Sequence, residues 1–153
     1  GLLFVAGGTV YERHTTLLND SLFAKRYLVS LLFIADGAFH LYAATDHLEE
    51  PLWQVAFFAI VAGLQIGVGV GIPRLGPRFD GPLLAGTSLL LVAYVVTRTV
   101  AIWPVGIIEE VEPLGLVSKF TEVLTILLLV SLMREQRTLS KDTSASADGT
   151  AAR

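Results

Sequence analysis

LWQVAFFAIVAGLQIGVGVGI (52–72) contains no acidic, basic or imidazole side chain. At 1.5 Å per residue, a helix of this length crosses the roughly 30 Å hydrocarbon core of a bilayer. It needs water on no face, so lipid is the solvent it fits. Pro51 marks its start and Pro73 its end, because proline is tolerated in a helix's first turn but not in its interior.

Three further runs flank it. Residues 81–97 are uncharged, Arg98 ends the run, and the span extends to 103. Residues 114–133 are apolar apart from Lys119, Glu122 and a few hydroxyls, and Arg134, Glu135 and Arg137 close them. Residues 27–48 follow Lys25 and Arg26 and are long enough to cross, although they hold Asp36, His40 and Asp46. The expected fold is all-α: a four-helix membrane bundle of up-down topology occupying 25–137, with spans at 27–48, 52–72, 81–103 and 114–133. An N-terminal segment (1–24) precedes it, and a disordered cytoplasmic tail (138–153), rich in Ser, Thr, Ala and Asp, follows.

Composition agrees. The 153 residues are 53% hydrophobic and 16% charged, with a mean hydropathy of +0.64, against about 25% charged in an average soluble domain. A net charge of -3, with the basic residues at helix ends, excludes a nucleic-acid surface. The absence of cysteine removes disulfides, iron–sulfur clusters and thiolate chemistry.

Lysine and arginine mark the cytoplasmic side of a membrane protein. Lys25 and Arg26 precede the first span, Arg74 and Arg78 join the second to the third, and Arg134, Arg137 and Lys141 follow the fourth. The other two connections carry Asp46, Glu49 and Glu50, then Glu109, Glu110 and Glu112. An N-in, C-in arrangement in the cell membrane follows, with Trp53 and Trp103 as anchors at the outer interface. Pro77 with Gly76 breaks the inner connection; Pro104, Gly106, Pro113 and Gly115 break the outer one. The chain opens on Gly1, so 1–10 reads equally as the end of an earlier apolar segment, the remnant of a leader, or an interfacial anchor.

Gly63, Gly67 and Gly71 are four apart and form a bare stripe. The reading given most weight is packing within this bundle or against a neighbouring subunit; the other is a dimer seam. Gln65 should face inward and hydrogen-bond a neighbouring helix.

Charged groups inside spans face the bundle interior, pair, or line a path. His40 and Glu122 each fall about 10–12 Å below the outer boundary at 1.5 Å per residue, and Arg98 is slightly shallower. Asp36 is one turn deeper than His40 on the same face. Asp36, His40, Arg98 and Glu122 thus define one buried polar layer with two open readings. In the structural reading, Arg98 pairs with Glu122 and Asp36 accepts the His40 ring N–H. In the functional reading, His40, Asp36 and Glu122 bind copper, zinc or iron, or relay protons. The fixed charge of Arg98 weighs against a metal. Asp46, His47, Glu49 and Glu50 form an outer acidic cluster that reads as a hydrated loop or, alternatively, a shallow cation site. His47 lies about 10 Å from His40 along the helix, too far to share an ion. Haem is disfavoured, because His40 and His47 lie on the same helix and His14 precedes the membrane.

No Walker-type loop, G-x-S-x-G elbow or H-E-x-x-H motif occurs. Thr87, Ser88 and Ser131 are expected to bond helix backbone.

FHLYAATDH (39–47), TRT (97–99), PVG (104–106) and TEV (121–123) together resemble small, uncharacterised four-helix membrane proteins of archaea and actinobacteria. The resemblance covers about 27–133, and it implies the architecture and no activity. The expected function is that of a non-catalytic accessory subunit, its partners being lipid and other membrane subunits or itself. A small metal-binding or redox-accessory protein is the alternative, and an oligomeric transporter or channel the third.

Overall fold

The computed structural model describes residues 21–101, 103 and 111–151, with side chains as far as Lys141. The segment 1–20 with His14, the Pro104 and Gly106 turn, and Glu109 and Glu110 lie outside the described residues. Those described form four long helices and no strand: α1 (Ser21–Asp46), α2 (Leu52–Gly71), α3 (Asp80–Thr99) and α4 (Pro113–Ala151). Two 3₁₀ turns, Ile72–Arg74 and Pro77–Phe79, join α2 to α3. Each of the four helices is long and apolar enough to cross a membrane, which marks the chain as a multi-pass membrane protein.

Proline and charge set the helix ends. Pro51 precedes α2 in an extended conformation, Pro73 and Pro77 begin the 3₁₀ turns, and Pro113 opens α4, where its missing N–H is no loss. Asp80 in the first turn of α3 and Arg98 in its last both complement the helix dipole. Three boundaries differ from expectation. α1 starts at Ser21, because Ser21 and Lys25 are drawn onto Glu135 of α4. α3 stops at Thr99, where Val100 turns extended. The helix of the fourth span runs on through the expected tail to Ala151. Nothing between Arg134 and Asp148 breaks a helix, so the apolar part propagates it.

α1 is the centre of the bundle, packing most extensively on α2 and then on α4, while α3 joins chiefly through α4. In the most apolar stretch of α1, 39% of residues are buried within the protein, against 11% in α3. Leu31, Leu41, Ile60, Leu64, Leu89, Val92, Phe120 and Leu127 all point outward, as lipid-facing residues do. Val29, Phe33, Ile72 and Leu129 form the apolar core.

α1 and α2 approach most closely at Gly37 and Gly69. A Cβ on Gly37 would lie 2.7 Å from Ile66 Cγ1, and one on Gly69 would lie 2.8 Å from Ile34 Cγ1. Ser30 Oγ donates to the Gly69 carbonyl at 2.6 Å across this seam. Packing among the four described helices is therefore not the work of Gly63, Gly67 and Gly71: a Cβ on any of them would meet nothing within 4 Å among the described residues. Gly69 is two residues from both Gly67 and Gly71, so it lies on the opposite side of α2.

Candidate functional site

α1 carries Asp36 and His40 one turn apart on its buried side. Their surroundings come from two neighbours. Gln65 Nε2 of α2 donates to Asp36 Oδ2 at 2.5 Å, and Ser118 Oγ of α4 donates to Asp36 Oδ1 at 2.6 Å. One carboxylate thus ties three helices together. The inward Gln65 behaves as expected, and Ser118 is an additional partner.

His40 Nδ1 donates to the Asp36 backbone carbonyl at 2.9 Å and lies 3.8 Å from Asp36 Oδ1. Asp36 does accept the ring N–H, then, but through its main chain, because its carboxylate is taken by Gln65 and Ser118. A carbonyl cannot donate, so Nδ1 carries the hydrogen, and when the ring is neutral its lone pair is on Nε2.

Glu122 of α4 completes the layer. Asp36, His40 and Glu122 are 3%, 6% and 0% exposed, and one donor atom from each lies within 4.8 Å of the other two. Glu122 Oε1 accepts from Lys119 one turn earlier on the same helix. Its Oε2 is buried without a hydrogen-bond partner among the described residues. The ion pair expected between Arg98 and Glu122 is therefore made by Lys119. The Arg98 guanidinium lies 4.4 Å from the centroid of the Tyr94 ring, and its Nη1 donates to Thr97 Oγ1 at 2.9 Å. Lys119 Nζ lies 5.3 Å from the same centroid. Gly115 makes room for this arrangement, since a Cβ there would sit 3.0 Å from the Tyr94 ring.

Above the layer is a cavity of about 400 Å³ to which all four helices contribute. Phe39, Phe57, Phe58, Leu90, Tyr94 and Leu114 wall it, and His40, Ser118 and Lys119 form its polar floor. Arg98 and Glu112 also border it. A second crevice, about 240 Å³, lies between α2 and α3 and is bordered by Gln65 and Leu90.

The outer acidic residues do not assemble. Asp46, Glu49 and Glu50 are exposed, and the His47 ring stacks on Phe58, with ring centroids 4.9 Å apart. Among the described residues, Asp36, His40 and Glu122 are the one set of three such side chains close enough to share an ion. Thr87 bonds its own helix backbone at Leu83, as expected, whereas Ser131 accepts from Lys25 at 2.9 Å.

A second polar group, of which the sequence shows only the charge placement, lies at the other end of the bundle. Arg26 holds Asp80 through two N–H···O bonds, and Gln136 donates to Asp80 Oδ2 at 3.1 Å. The chain matches no protein-family model, no curated protein and no solved structure.

Proposed function

We propose that this chain is a multi-pass protein of the cell membrane, with up-down helices and both ends of its four-helix domain in the cytoplasm. Its task is to capture a small, mostly apolar molecule with a polar head in the outer-half cavity. One observation carries this reading: aromatic and aliphatic walls from four helices converge on a polar floor of His40, Ser118 and Lys119. Concave apolar sites with a few convergent polar groups are the usual form of ligand pockets. The hydroxyl of Tyr94, which has no hydrogen-bond partner among the described residues, offers a further hydrogen bond to the guest. Lys25, Arg26, Arg74, Arg78, Arg134 and Arg137 on one set of helix ends, against Asp46, Glu49, Glu50 and Glu112 on the other, support the orientation.

The test is purification in mild detergent, organic extraction and mass spectrometry of what is released. A stoichiometric apolar compound is expected from the wild type and should be missing from Ala43→Trp, which fills the cavity from α1. A wild-type extract with nothing above the lipid and detergent background would defeat the reading.

A second reading, the accessory subunit, draws support from the open glycine stripe Gly63, Gly67 and Gly71. A flat, lipid-exposed small-residue face lets another helix approach closely. Native mass spectrometry tests it: a companion chain or second copy should be lost in Gly67→Leu.

A further inference from the structure

We propose that Asp36, His40 and Glu122 form a binding site for one divalent first-row transition-metal ion, with Lys119 as the counter-charge that the ion displaces from Glu122. The site deepens the cavity reading by giving its floor a ligand of its own.

The geometry fits first. With the three donor atoms mutually within 4.8 Å, an ion at their centre lies no more than about 2.8 Å from each, and zinc bonds to imidazole and carboxylate are about 2.0–2.2 Å long. A shift of at most about 0.6–0.8 Å per side chain closes the site. A three-residue set beside a cavity leaves the fourth position open to water or a guest, as in catalytic metal centres.

The polar accounting points the same way. Glu122 is fully buried, yet its Oε2 has no hydrogen-bond partner among the described residues. A carboxylate oxygen in a low-dielectric interior is costly to leave unmatched. Asp36 is held as metal-binding carboxylates commonly are, by outer hydrogen bonds from Gln65 and Ser118 that fix its orientation. The His40 ring is fixed in turn by the Asp36 carbonyl.

Lys119 is the objection, and the geometry answers it. When both are ionised, Asp36 and Glu122 together bear two negative charges, of which Lys119 can neutralise one. A divalent ion would neutralise both, leaving Lys119 to turn into the cavity that it already borders, toward the Tyr94 ring. One imidazole and two carboxylates suit zinc, manganese or ferrous iron, whereas copper(I) prefers sulfur ligands.

Zinc titration against a chelating dye, using the full chain in detergent, tests the site, with cobalt(II) absorption as a second readout. One zinc per chain is expected, along with intense visible cobalt bands of a low-coordinate site. His40→Ala and Glu122→Gln should each weaken zinc binding by about tenfold or more, with His47→Ala unchanged. Lys119→Gln keeps every ligand and removes the competitor, so it should tighten binding by about tenfold. Wild type binding zinc no better than His40→Ala, or a cobalt spectrum of the hydrated ion in both wild type and Lys119→Gln, would overturn the proposal. Running the titration on Ala43→Trp separates the two readings. Zinc retained with the apolar guest lost leaves the metal site standing, and the guest retained in a wild type without zinc removes the metal alone.

Discussion

Arg26 of α1 grips Asp80 at the start of α3 with two N–H···O bonds of 2.8 and 2.9 Å, and Asp80 is only 1% exposed. Arg26 also donates to the Leu75 carbonyl in the connection that leads there. The guanidinium thus closes one end of the bundle by binding a helix that α1 otherwise reaches mainly through α4. Removing one partner strands the other charge in a buried place, which costs about 3–5 kcal/mol. Asp80→Asn and Arg26→Met should both lower the denaturant midpoint in mixed micelles by that measure, while Arg26→Met with Asp80→Leu should regain a large part. Equal stability of wild type and single variants would show that the pair holds nothing.

The two classes of glycine make opposite predictions. Gly37→Ala and Gly69→Ala drive a methyl group into Ile66 and Ile34, and overpacking of this kind costs about 1–3 kcal/mol. Gly67→Ala meets open space and gains up to about 1 kcal/mol of helix propensity. Thermal melts in detergent should therefore separate them, with the first two falling and the third unchanged or rising.

Gln65 offers a cleaner test of the layer. Gln65→Leu keeps the approximate volume but removes the donor to Asp36 Oδ2, at a cost of about 1–3 kcal/mol. Gln65→Glu should be worse, since it sets a second carboxyl against the first. A melt showing Gln65→Leu as stable as wild type would mean that the layer does not depend on this bond.

Orientation is accessible because the chain has no cysteine of its own. A single cysteine at Gly76 should react with a membrane-impermeant maleimide only after cells are opened, and one at Glu49 should react in intact cells. The reverse pattern would invert the topology.

The spans were legible because a long uncharged run has few alternatives: 52–72 and α2 (Leu52–Gly71) nearly coincide. The depth of each polar residue was legible too, since rise per residue is fixed: His40 and Glu122 fall at one level, with Arg98 slightly shallower and Asp36 one turn deeper. Rotation about each helix axis was not. Depth alone could not choose between Arg98 and Lys119 for Glu122, and the choice fell to the residue one turn away on the same helix. The same limit hid the glycine of the α1–α2 seam: a regular Gly63, Gly67, Gly71 spacing is visible in sequence, but Gly69, which carries the seam, is conspicuous only once the side of α2 facing α1 is known. Arg26 and Asp80 were hidden for another reason. Charges near a span's end satisfy the topology rule whether or not they are paired, so their bond left no signature.

Lys119 and Glu122 share a helix and stand one turn apart. Within α4 the pair can neutralise its own charge without a partner from another helix. Asp36 has no lysine or arginine one turn away on its own helix, and its carboxylate takes hydrogen bonds from Gln65 of α2 and Ser118 of α4. The Asp36 carboxylate of α1 is thus matched by donors that α2 and α4 bring to it, so the packing of those helices is what makes its burial tolerable.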